Sequence, residues 1–177
     1  LHPAAGYLEN ETGYSVTVDE DGDVVEITVV NDLIPEIGTT ATIDEEKEVC
    51  ATEVFTLTDT VEYTHLVPGK EYTVKGILMD KATGEPFLQN GEQITSEAIF
   101  VPEAPSGSVE VLFTFDAKLI KTDTSIVVFE SLYSDSKELT DHADIGDEGQ
   151  TVTVYVPTIK TTASIDGKKE ITTAGKV

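Results

Sequence analysis

Residues 150–157 read QTVTVYVP. Alternation puts Gln150, Val152, Val154 and Val156 on one side of a strand, and Thr151, Thr153 and Tyr155 on the other. A valine face belongs against a core. A carboxamide at its head is out of place there, because a buried amide costs free energy unless it is bonded. The stretch therefore predicts an inward-packing β-strand and a polar group in need of a buried partner.

The same two-residue alternation recurs along the chain. It predicts strands at Ile37–Ile43, Val49–Tyr63 with a break inside it, Glu71–Asp80, Gln93–Val101, Ser108–Phe115, Ser125–Tyr133 and Gln150–Val156. LVPGKEY (66–72) and KATGEP (81–86) between them are turn chemistry. No long segment carries a helical apolar period. About seven short strands suit an all-β fold, a two-sheet Ig-like or Cna-B-like sandwich.

An internal repeat begins where the opening strand ends. PTIKTTASIDGKKEI starts at Pro157, and PEIGTTATIDEEKEV starts at Pro35. Pro, Ile, Thr-Thr-Ala, Ile-Asp and Lys-Glu recur in register. One unit thus runs over 35–157, and 158–177 are expected to be the first strand or strands of a following, truncated unit. Units of this length suggest beads on a string, since solenoid repeats are shorter. Ahead of the unit, GYSVTVDEDGDVVEITVVND (13–32) reads as a hairpin about Asp21-Gly22. DEDGD (19–23) does not make an EF-hand loop: its Gly is misplaced, and no Glu follows at the twelfth position.

Charge narrows the function classes. The 177 residues hold 11 Lys plus Arg against 34 Asp plus Glu, a formal net charge of −23. A surface this acidic argues against nucleic acid and against anionic membranes as partners, and keeps a chain soluble through self-repulsion. Cys50 is the only cysteine, so no internal disulfide can form; it is expected to be a small buried residue. No signal peptide or membrane-spanning run is visible. The start at Leu1 is expected to mark a fragment of a longer protein.

Polar residues interrupt apolar faces at four places. Thr39 shares a face with Ile37, Ala41 and Ile43. Asp59 shares one with Phe55, Leu57, Val61 and Tyr63. Glu130 lies among Ile126, Val128 and Leu132, and Gln150 heads the valine face. His142 is expected in the loop before Gln150. Two buried carboxylates repel, so at least one should hold a proton near neutral pH. A histidine nearby can move a proton. A threonine hydroxyl is a latent nucleophile, and a glutamine side chain is an acyl group with ammonia as its leaving group. Together these parts describe one acyl transfer, in which the Thr39 hydroxyl attacks the Gln150 carbonyl and an ester remains.

IGTTAT (37–42), DTVEYTHLVPGKEYTVKGILMDKATGEP (59–86), VVFESLY (127–133) and HADIGDEGQTV (142–152) resemble the Thr–Gln ester-bond domains, also called VaFE repeats. These are tandem stalk domains of Gram-positive surface adhesins. The resemblance implies Thr39 and Gln150 as the cross-linked pair, with Asp59, Glu130 and His142 assisting. Alternation alone also selects Thr39 over Thr40. Thr161 matches the nucleophile of the next repeat. The resemblance further implies a secreted, cell-wall-anchored protein whose partners are the neighbouring domains of its own chain and a host surface ligand. No cofactor or metal is implied, and catalysis is a single self-cross-linking turnover. His65 stands where the family tends to have a small residue and is read as a surface variant. AAGYLENE (4–11) and VVND (29–32) resemble the tail of a Cna-B-type domain, a family with Lys–Asn isopeptide bonds. Asn31 is the candidate acceptor for a lysine outside this sequence.

Two other classes fit a soluble acidic sandwich: a ligand- or Ca²⁺-binding module, and an enzyme acting on an external substrate. Released ammonia separates them, as none per chain, many per chain, or one for self-cross-linking.

An ester between the first and last strands would carry tension directly and shield the strands between. It would close a loop of more than a hundred residues, worth roughly 4–5 kcal/mol by the chain-entropy argument used for disulfides. The native chain is therefore expected to melt roughly 10–20 °C above Thr39→Ala. Coincident calorimetric transitions would remove the cross-link from the account of stability.

Overall fold

The computed structural model describes residues 31–164 continuously, together with 5–8, 15–17, 24–26, 28 and 167. Its strands are β1 (Glu36–Ile43), β2 (Glu48–Cys50), β3 (Val54–Thr64), β4 (Tyr72–Asp80), β5 (Leu88–Gln89), β6 (Glu92–Gln93), β7 (Thr95–Phe100), β8 (Gly107–Asp116), β9 (Thr124–Ser134), β10 (Lys137–His142) and β11 (Thr151–Tyr155). A 3-10 turn, Ala117–Leu119, follows β8. One sheet has the order β1-β3-β8. The other has β2-β11-β9-β4-β7, with β10 also on β9, and β5-β6 is a separate small hairpin. This is the expected all-β, two-sheet sandwich.

The alternating faces meet between the sheets. Phe55, Leu57 and Val61 of β3 and Val111, Phe113 and Phe115 of β8 come from one side. Val74 and Leu78 of β4, Ile126, Val128 and Leu132 of β9, and Val152 and Val154 of β11 come from the other. The expected break in 49–63 falls at 51–53. Its two pieces join different sheets: β2 pairs in parallel with β11, and β3 pairs antiparallel with β1.

Several expectations are corrected. His142 is not in a loop but ends β10, opposite Glu130. The segment KELTDH offers only Leu139 as an apolar marker, and it bulges between Glu138 and Thr140, so no alternation betrays it. Cys50 is exposed rather than buried, because on the edge strand β2 its neighbour Val49 takes the inward position. The expected strand Gln93–Val101 divides into β6 and β7. β6 pairs with β5 across Asn90-Gly91, whose φ angles of 55° and 84° are those of a tight hairpin turn. The Asp21-Gly22 turn lies outside the described residues. Nearby, the Leu8 amide donates to the Asp32 carbonyl and the Ile34 amide to the Gly6 carbonyl, at 2.8 and 3.0 Å. His65 is exposed, at φ 63°, with Nδ1 3.2 Å from the Ile34 carbonyl oxygen.

β9 is the strand that positions the polar residues. One edge pairs with β4 throughout. The other edge is shared: Thr124–Val127 pair with β11, and Glu130–Ser134 pair with β10. The chain therefore leaves β9's edge at His142 and returns to it at Thr151. In the gap, the Val128 amide donates to the Gln150 carbonyl at 3.1 Å. On the far side Glu130 pairs with Gly76 of β4. A side chain at Gly76 would collide with the Phe113 ring from the facing sheet, so the glycine lets the two sheets close over Glu130. Gly76→Ala is expected to destabilise the fold by ~1–3 kcal/mol through overpacking, read as a lowered urea midpoint. An unchanged midpoint would mean the Phe113 ring yields freely.

Candidate functional site

The four polar residues singled out from the sequence meet between the sheets. Asp59 and Gln150 have no exposed surface, Glu130 is 1% exposed and Thr39 is 9% exposed. Register explains the meeting. Thr39 pairs with Val61 and Ala41 with Asp59, so the acid lies one step along β3 from the threonine. The split edge of β9 brings Gln150 over Glu130.

Gln150 Nε2 lies 2.7 Å from Thr39 Oγ1 and donates to Glu130 Oε2 at 2.9 Å. It also approaches the His142 carbonyl oxygen, at 3.4 Å. Gln150 Oε1, Glu130 Oε1 and both Asp59 oxygens are buried without an N–H donor or hydroxyl. For the carboxyls, one proton resolves this: placed between Asp59 and Glu130, it gives each acid a partner. Burial drives both pKa values up, and the neighbouring acid raises Glu130 further, to about 10. The pair thus enters neutral pH holding a proton. The carbonyl oxygen of Gln150 remains an unpaired acceptor, a cost of about 1–3 kcal/mol in the unreacted fold.

His142 is beside the cluster but not aimed at Thr39. Its Nδ1 faces the Ile37 carbonyl oxygen at 3.3 Å, and its Nε2 faces Asp147 Oδ2 at 2.9 Å. The ring thereby ties β1 to the loop that delivers Gln150. That loop is internally braced. Asp144 Oδ1 accepts from the Gly146 amide and Asp147 Oδ1 from the Gly149 amide, at 2.8 and 2.7 Å. Thr151 Oγ1 donates to the Asp147 carbonyl at 2.6 Å, and Lys81 Nζ lies 2.7 Å from Glu148 Oε1. The bonds from His142 and the Gly149 amide hold the Asp147 carboxyl below its ordinary pKa.

Sequence reasoning missed Asp147 and Lys47. Asp147 is one of three acids in DIGDEG, and no periodicity separates it from the others in an irregular loop. Lys47 precedes β2, and its Nζ donates to the Ala41 and Gly149 carbonyls, both at 2.5 Å. Thr161 is exposed, outside any strand. Among the described residues no group of three or more His, Cys, Asp and Glu is arranged to hold a metal ion.

The sequence profile of the T-Q ester bond containing domain matches residues 35–154. The chain belongs to that family. A search of curated proteins finds no match. Among solved structures, the chain is similar to a bacterial adhesin from Mobiluncus mulieris described as containing intramolecular disulfide, isopeptide and ester bond cross-links. In one crystal form the TM-score is 0.60 at 19% identity, over 70% of this chain and 57% of the adhesin chain. In a second form it is 0.58 at 20% identity, over 67% and 56%. At that identity the likeness is one of fold. The chain spans just over half the length of those adhesin chains. For this T-Q ester bond domain, the family boundaries enclose Thr39, Asp59, Glu130, His142, Asp147 and Gln150.

Glu130 gives a pH signature. A carboxyl whose pKa is higher folded than unfolded binds its proton more tightly in the native state. Its contribution is therefore full below the ordinary value of 4.5 and is lost as pH rises toward about 10. In the Thr39→Ala background, urea stability is expected to fall across that window, and Glu130→Gln is expected to flatten the slope. Parallel slopes with and without Glu130→Gln would show that this carboxyl carries no bound proton.

Proposed function

We propose that this domain is a stalk segment of a bacterial surface adhesin, stabilised by a self-formed ester between Thr39 and Gln150. The observation that carries the reading is the buried 2.7 Å approach of the Gln150 side-chain nitrogen to the Thr39 hydroxyl, beside a carboxyl pair that holds a proton. Membership of the T-Q ester bond family supports it.

The chemistry balances within the chain. Thr39 Oγ1 attacks Gln150 Cδ, the Cδ–Nε2 bond breaks, and the hydroxyl proton ends on the departing nitrogen, which leaves as ammonia. Gln150 Nε2 contacts both Thr39 Oγ1 and Glu130 Oε2, so Glu130 lies beside the hydroxyl and the leaving group. A half-turn of the amide exchanges Nε2 and Oε1. The carbonyl then accepts from the protonated carboxyl, which polarises Cδ where negative charge develops. Burial excludes the water that would compete with Thr39 or hydrolyse the ester. His142, with Asp147, holds the approach of the two segments through the Ile37 carbonyl and its own backbone. The glutamine is consumed, so each domain reacts once and the protein is not a turnover enzyme.

The cellular setting follows from the same reading. Adhesin-like architecture, acidic charge and a repeated unit fit an extracellular, cell-wall-anchored chain of tandem domains, with Thr161 as the next repeat's nucleophile. Neighbouring domains and a host surface ligand would be its partners.

Intact mass tests the ester. The folded chain is expected to be lighter than its sequence by one ammonia. Thr39→Ala or Gln150→Ala should restore full mass, and alkali on the unfolded chain should hydrolyse the bond, leaving Glu at position 150. Full mass in the folded native chain removes the ester. A deficit that survives alkali makes the bond an amide, with a lysine in place of Thr39.

A further inference from the structure

The two reactants are 111 positions apart in sequence, and few groups bridge their segments directly. One bridge is a backbone bond, from the Ala41 amide to the Gly149 carbonyl at 3.0 Å. The other is Lys47. Its ammonium donates to the Ala41 carbonyl, two residues from Thr39, and to the Gly149 carbonyl, one residue from Gln150. Gly149's carbonyl thus receives both Ala41 N–H and Lys47, so it is pinned against β1 from two directions. Lys47 is half-buried, and burial lowers its pKa while Asp59, Asp147 and Glu148 act to raise it. Its charge in turn pulls the Asp59 pKa down.

The sequence repeats this arrangement. Lys47 follows Thr39 by eight positions, and Lys169 follows Thr161 by the same eight. A tight turn lies between threonine and lysine. Asp44 and Glu45 take φ angles of 50° and 68°, and the position matching Glu45 in the second copy is Gly167, at φ 72°. The Ile43 and Glu46 backbones exchange two bonds at 2.9 Å across that turn. The turn sends the chain back so that the lysine can reach the strand carrying the nucleophile.

Resting on the ester reading above, we propose that Lys47 is a positioning residue for cross-linking: it clamps the Thr39 strand to the turn that carries Gln150 and supplies the positive charge that acts on Asp59. The lysine touches neither reacting group. It acts by restricting their separation, where small misplacements slow a reaction steeply, and by favouring ionised Asp59 beside protonated Glu130.

The test is a time course of ammonia loss by intact mass after refolding, for the native chain, Lys47→Met and Lys47→Gln, across pH 5–9. Lys47→Met is expected to react at least tenfold more slowly at pH 7, and Lys47→Gln, which keeps an N–H donor group but no charge, to fall between. The acid limb of the rate profile is expected to move to higher pH in both variants, because Asp59 then protonates more readily. The charged and titratable groups bearing on that limb are Lys47 and His142 near Asp59, Glu130 beside it, and Asp147 and Glu148 facing the lysine. Variants that react at the native rate overturn the proposal. A uniform slowing with an unmoved profile also overturns it, in favour of plain packing. If circular dichroism shows Lys47→Met unfolded, Lys47→Gln decides by the same two readings. A native chain that keeps its full mass overturns the ester reading and this proposal together, an outcome distinct from slowed variants beside a reacting native chain.

Discussion

Two carboxyls, Asp59 and Glu130, lie between the sheets of this sandwich with room for one negative charge. Glu130 receives one N–H, from Gln150, and Asp59 receives none, so the proton between them is what makes the centre of the domain tolerable. Much else is arranged around that fact. Gly76 lets Phe113 close over Glu130 from the facing sheet. Ala41, opposite Asp59 in the register, is the small residue that leaves the acid its space. Lys47 supplies positive charge from the rim, and His142 braces the Gln150 loop from beside the cluster. An ordinary hydrophobic filling would be more stable at these positions. The polar centre is understandable as a reaction site inside a structural domain.

The unpaired Gln150 carbonyl fits the same logic. Buried acceptors without donors are rare in folded proteins and ask for a reason. Here the acceptor is the carbonyl of the acyl group that reacts, and it stays in the ester; the half-turn that brings it to the protonated carboxyl gives it the donor it lacks.

Much of this was legible in the chain. Alternation in 36–43, 54–64, 124–134 and 151–155 marked both the strands and the polar residues on their inner faces, since one face of each is otherwise aliphatic or aromatic. What stayed hidden lacked such contrast. β10 reads as polar throughout except for Leu139, because it is a bulged edge strand whose pairing, not its burial, holds it. By pattern alone, His142 therefore reads as a loop residue. Asp147 and Lys47 act through bonds to a histidine and to backbone carbonyls, and nothing in a period-two pattern reports such bonds. Cys50 reads as an inside residue because small apolar residues usually are, but a short edge strand exposes every second residue.

The split edge of β9 has a mechanical consequence. β11 lies after Gln150, and β1 begins three residues before Thr39. With the ester formed, the contour length of the domain divides in two. The 111 positions between the linked residues, which would stretch to roughly 380 Å, are closed off from extension. The β11 segment outside the ring is free to peel from β9 and β2 and yields only about 3.4 Å per residue. Such a domain would lengthen by a short, recoverable step under load and then stiffen. β11 would act as a spring of fixed travel, able to re-anneal when the load is released because the edges it left are held in place behind it.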